Sequence, residues 1–66
     1  MKPELIALVF MGDEQDNFFI ENPPPGRPEA WIDKFVNDVA DVEFVQVFER
    51  GSPYAYWSNP NSNPEP

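Results

Sequence analysis

The sequence predicts a small α+β domain, an antiparallel sheet of three or four strands with one helix packed on one face. Three observations carry that reading. Leu5 to Met11 is an unbroken apolar run, the stretch after Pro28 repeats its apolar residues at the period of a helix, and Glu43 to Arg50 alternates at the period of a strand. The order is β-β-α-β with room for a short last strand. Residues 1–57 make one domain and 58–66 a flexible tail of Pro, Asn and Ser.

Glu4 to Met11 (ELIALVFM) is rich in β-branched and large apolar residues on both of its faces, which places it centrally in the sheet. Gly12 to Asp16 (GDEQD) is a polar connection, and Asn17 to Glu21 (NFFIE) resumes strand-type residues, so the two runs form an antiparallel hairpin. Asn22 to Gly26 (NPPPG) then ends regular pairing, because three prolines supply no backbone donor. As a polyproline stretch it could serve as a ligand for an aromatic-lined groove, but within a folded domain a stiff connector is the better reading.

Pro28 suits the first position of a helix, where its missing N–H costs nothing. Ile32, Phe35, Val36 and Val39 follow the 3.6-residue period, widened by Trp31 and Ala40. Arg27 offers no acceptor as an N-cap, so this helix of ~13 residues depends on packing against the sheet. Its outer side carries Glu29, Asp33, Asp38 and Asp41, the last two near the C-terminal end, where the helix dipole disfavours carboxylates by ~0.3–1 kcal/mol each. In Glu43 to Arg50 (EFVQVFER), Val45 and Val47 point one way and Phe44, Gln46 and Phe48 the other. After a Gly51-Ser52-Pro53 turn, Tyr54 to Trp57 form a short edge strand.

Composition narrows the function. The chain has 66 residues, with four Lys and Arg against twelve Asp and Glu, a net charge of −8. That field repels phosphate, so no direct nucleic-acid binding is expected. Hydrophobic residues reach 41%, which separates the chain from disordered acidic tails. Without Cys there is no disulfide framework, and the natural compartment is a reducing cytoplasm. The longest apolar run is too short to span a bilayer, and Pro3, Glu4 and the lack of a basic n-region or small-residue cleavage site are not what a signal peptide would show.

With neither His nor Cys, the chain lacks an imidazole base, a thiolate and a transition-metal ligand set, so it reads as a non-enzyme without cofactor or metal. Asp13, Gln15 and Asn17 alternate as in a calcium loop. Phe18 and Pro24, however, occupy the positions that need Gly and a bidentate Glu.

The partner-binding candidates are Tyr54, Tyr56, Trp57 and Phe48 as aromatic anchors, with Glu29, Asp33, Asp38 and Asp41 as an acidic row. One helix covers one sheet face, leaving either Phe10, Phe44, Phe48 and their neighbours or the opposite set uncovered, and such a patch marks a binding surface. The acids, spaced about a helical turn apart, would face a basic surface that otherwise holds phosphates. In size and charge the chain resembles small acidic bacteriophage proteins that block host polymerases, nucleases or repair enzymes. That resemblance carries no shared motif. It implies an inhibitor or modulator docking by DNA mimicry on a basic protein surface. The alternative is a structural or accessory subunit that forms a homodimer through the uncovered face or an edge strand.

Overall fold

The computed structural model describes residues 4–60. They form one four-stranded antiparallel sheet in the order β2-β1-β3-β4, built from β1 (Leu5–Met11), β2 (Phe18–Glu21), β3 (Val42–Glu49) and β4 (Ser52–Ser58). The apolar β1 and the alternating β3 lie in the middle of the sheet. β1 and β2 form the expected hairpin, paired from Ile6 with Glu21 to Val9 with Phe18. Its connection is shaped by side chains: Asp13 Oδ1 accepts from the Gln15 N–H at 3.1 Å, and Asn17 Oδ1 accepts from the Met11 N–H at 2.7 Å. Asn22 closes the far end at φ 53°, a left-handed conformation that Asn tolerates. Its N–H donates to Leu5 O at 2.7 Å, and its Oδ1 accepts from Glu4 N–H at 3.1 Å.

No α-helix is present among the described residues, so the fold is mostly β and the expected α+β architecture is wrong. Three short 3-10 turns, Pro28–Ala30, Ile32–Lys34 and Val39–Asp41, replace the helix. The cause is local. Arg27 gives no side-chain cap, and Trp31 at φ −138° breaks the helical path between the first two turns. The residues that follow are mostly poor helix formers: Trp, Ile, Asp, Phe, Val and Asn. A single backbone bond of helical spacing survives, from the Val36 N–H to Ile32 O at 3.1 Å. The apolar periodicity was real, but it records burial against the sheet rather than a helical ladder. Trp31 and Ile32 are buried and Val36 and Val39 pack against the core, whereas Phe35 is 45% exposed and stacks edge-on to Trp31 at 5.5 Å.

The last strand is longer than expected. β3 and β4 are joined by Arg50 and Gly51, at φ 53° and 87°, a two-residue turn of the type that matches the twist of paired strands. β4 therefore starts at Ser52 and ends at Ser58. Asn59, assigned from sequence to the tail, is buried; its N–H donates to Glu43 O at 3.0 Å and its Nδ2 to Val39 O at 3.1 Å. The domain thus extends past residue 57, and 61–66 of the expected tail lie outside the described residues.

The core is one-sided. Ala7 and Val9 of β1 and Val42, Val45 and Val47 of β3 pack under Trp31 and Ile32 of the covering segment. Leu5, Met11, Ile20, Ala55 and Trp57 surround them.

Candidate functional site

Strand periodicity turns the alternate residues away from this core. Register aligns Ile6 with Phe48, Leu8 with Gln46 and Phe10 with Phe44 across β1 and β3. Phe19 lies beside Leu8 on one flank and Tyr56 beside Gln46 on the other. These residues share the face that the covering segment leaves open. Phe10 and Phe44 stack at 4.3 Å between ring centroids and 13° between planes, and Tyr56 leans on Phe44 at 5.8 Å and 37°. The result is an aromatic ridge across three strands. Ile6, Leu8, Phe10, Phe44 and Phe48 are half-buried by one another; Phe19 and Tyr56 are 54% and 50% exposed.

The polar member of the face is turned back onto the sheet. Where the β3–β4 pairing slips between Val47 and Phe48, Gln46 Nε2 donates to Ala55 O at 3.0 Å and Val47 O at 3.1 Å. Its donors are spent on the protein's own backbone, which leaves the surface apolar in character.

Two depressions lie beside the ridge and share Leu8. One, of about 250 Å³, is bounded by Ile6, Leu8, Phe48 and Gly51, with Glu4 and Arg50 at its lip. The other, of about 310 Å³, is bounded by Leu8, Phe10, Phe19 and Asn17, with Val9 and Phe18 between them. The Arg50 guanidinium donates to Glu4 Oε2 at 2.6 Å. That hydrogen bond, and then the Coulomb attraction, raises the Arg50 pKa above its ordinary value. The basic group on this lip is therefore matched by a carboxylate, and Glu21, beside Ile6, adds a further acid to the rim.

The structure divides the sequence-predicted candidates. Phe48 and Tyr56 lie on the open face. Trp57 pairs with Val45 and packs half-buried against the core on the opposite side. Tyr54 is 42% exposed, and its hydroxyl accepts the Gly26 N–H at 3.3 Å, which ties β4 to the proline connector. Glu29, Asp33, Asp38 and Asp41 are all exposed on the segment that covers the core or at its junction with β3. Without a helix they have no common one-turn spacing, and they lie on the other layer from the aromatic ridge. Glu29 pairs with Arg27 at 3.1 Å.

The binding candidates included only Phe48 and Tyr56 from the open face, although Phe10 and Phe44 were named with Phe48 as one of the two sets that could stay uncovered. Ile6, Leu8, Phe10, Phe19 and Phe44 complete it. Their signal was the phase of β1 against β3: once Val45 and Val47 are assigned to the core, antiparallel pairing puts Ile6, Leu8 and Phe10 of β1 and Phe44, Gln46 and Phe48 of β3 on the other face.

Among the described residues, no group of three or more acidic side chains is placed to hold a metal ion, and no helix is long and apolar enough to cross a membrane. No family model, curated protein or solved structure matches the chain.

Proposed function

We propose that this chain is a non-catalytic protein-binding domain whose open sheet face docks on an apolar patch of a partner with a basic rim. The observation that supports the reading is the continuous surface of Ile6, Leu8, Phe10, Phe19, Phe44, Phe48 and Tyr56, built around the stacked Phe10–Phe44 pair. An antiparallel sheet that leaves one face in water normally makes that face polar, whereas here the face that the described residues leave uncovered is apolar. Apolar surface of that extent is stabilised by leaving water, and aromatic residues concentrate binding energy when they do so.

The net charge of −8 defines the partner's character. It raises the encounter rate with basic surfaces and slows approach to acidic ones. Docking by phosphate mimicry loses its basis, since Glu29, Asp33, Asp38 and Asp41 are not held in a regular row. Those acids contribute to the field rather than to the contact. A second copy seated on the same face is the competing reading, and the doubling of a like charge weighs against it.

Affinity capture with the full chain, compared with Leu8→Glu and with the double variant Asp33→Asn, Asp38→Asn, tests the proposal. Capture of a basic protein that is lost in Leu8→Glu, retained in the double variant and weakened by salt is the expected outcome. Capture that is indifferent to Leu8, or a wild-type chain that sediments as a dimer with this face buried, would overturn it.

A further inference from the structure

We infer that the occupant of the open face is a cationic amphipathic helix of the partner, lying across Leu8 with one apolar side chain in each of the two depressions. This rests on the docking role proposed above and names what docks.

Backbone hydrogen bonding separates a helix from an extended segment. A segment laid on the face of a sheet finds no free ladder groups there, because the sheet's N–H and C=O groups point along its plane to neighbouring strands. An extended peptide would therefore bury its own backbone polar groups against Leu8, Phe44 and Phe48 without partners, at a large cost. A helix satisfies its backbone internally and presents only side chains.

Dimensions agree. The two depressions share Leu8 but lie on opposite sides of β1, one toward Ile6 and Phe48, the other toward Phe10 and Phe19. Two residues along a strand and one strand spacing across the sheet separate their centres by roughly 8 Å. That distance falls between the i, i+4 and i, i+7 spacings of a helix, about 6 and 10.5 Å, the anchor pattern of helices bound in apolar grooves. A seven-residue strand is about 24 Å long, room for a helix of ~15 residues.

Charge sets the helix's flanks. At the lip of the first depression Arg50 is neutralised by Glu4, while Glu21 stands on the same face beside Ile6. Lys or Arg beside the apolar stripe would meet Glu21 and the field of the whole chain; acidic flanks would be repelled.

The test titrates the full chain into a fluorescent synthetic peptide of about 15 leucines and lysines with leucines at i, i+3, i+4 and i+7. A scrambled peptide of identical composition serves as control. The expected result is saturable binding with a gain of helical circular dichroism, and at least about tenfold weaker binding to Leu8→Glu. That direction is diagnostic, because an added carboxylate should strengthen any merely electrostatic association. If Leu8→Glu does not fold, Phe19→Glu, at an exposed position, replaces it. Equal binding of the scrambled peptide, binding without helix formation, or loss that follows Asp33→Asn and Asp38→Asn instead of Leu8→Glu would overturn the inference. Should the peptide fail while Leu8→Glu still abolishes capture of a protein partner, the helix is wrong and the docking face stands. If neither responds to Leu8→Glu, both fall.

Discussion

Phe10 and Phe44 stack at 4.3 Å on the side of the sheet that no segment of the described chain covers, while Val9 and Val45, their neighbours in sequence, are paired and buried beneath Trp31 and Ile32. Each of the two central strands therefore carries apolar residues on both sides for two different reasons. One side holds the fold together, and the described residues leave the other uncovered.

The two sides should separate in mutagenesis. Val45→Ala, at a position with no solvent exposure, is expected to cost about 2 kcal/mol through lost burial and a residual cavity. Phe19→Ala, at 54% exposure, should cost under about 1 kcal/mol. Urea unfolding of both variants checks the contrast, and equal losses would mean that the open face is part of the core.

The β3–β4 turn makes a sharper claim about backbone. At Gly51 an added Cβ would meet no atom within 4 Å, so Gly51→Ala tests conformation alone. Its φ of 87° should make alanine cost about 1–2 kcal/mol. Arg50→Asn places a residue suited to positive φ at the preceding position and removes only a solvent-exposed, screened ion pair, so its stability should change little. Thermal melts of the two variants supply the comparison.

Trp31 carries a tension of its own. It is 3% exposed, yet its Nε1 is buried with no hydrogen-bond partner among the described residues. An unsatisfied buried donor costs about 1–3 kcal/mol, which offsets part of the gain from burying the ring. Trp31→Phe should thus lie within about 1 kcal/mol of the wild type, whereas Trp31→Ala should lose about 3–5 kcal/mol. Comparable losses in the two variants would indicate that the indole N–H does find a partner in solution.

A net charge of −8 on a domain this small opposes compaction by self-repulsion. Added NaCl shortens the screening length from ~10 Å at 0.1 M to ~3 Å at 1 M. The melting midpoint should rise across that range, by about 7 °C for each kcal/mol of repulsion relieved. Calorimetry at a series of salt concentrations reads it directly, and a falling midpoint would mean that ion pairs such as Arg50–Glu4 matter more than repulsion.

Much of the sheet was legible from residue types. β1 was marked as central by apolar residues on both its faces, the hairpin by GDEQD between two strand-type runs, and β3 by its alternation. The covering segment was not legible as what it is. A 3.6-residue apolar period reports which residues touch a surface, and Trp31, Ile32, Val36 and Val39 touch it from a chain of 3-10 turns as well as they would from a helix. The propensities of Trp31, Asp33, Asn37 and Asp38, and the missing cap at Arg27, carried the contrary information. The site was partly legible for the same reason. Alternation gave two apolar sides, but which side stayed open depended on where Trp31 and Ile32 landed. Trp57 was assigned by residue type to an interface, when its register opposite Val45 puts it on the core side.

The most direct measurement is side-chain NMR of the full chain with a soluble gadolinium chelate that relaxes solvent-facing protons, at a concentration shown by sedimentation to be monomeric. Strong relaxation of the Leu8 methyls and the Phe19, Phe44 and Tyr56 rings, with little effect on Val9, Val45 and Ile32, is the predicted result. Protection of Leu8 and Phe44 equal to that of Val45 would contradict an open, binding-competent sheet face.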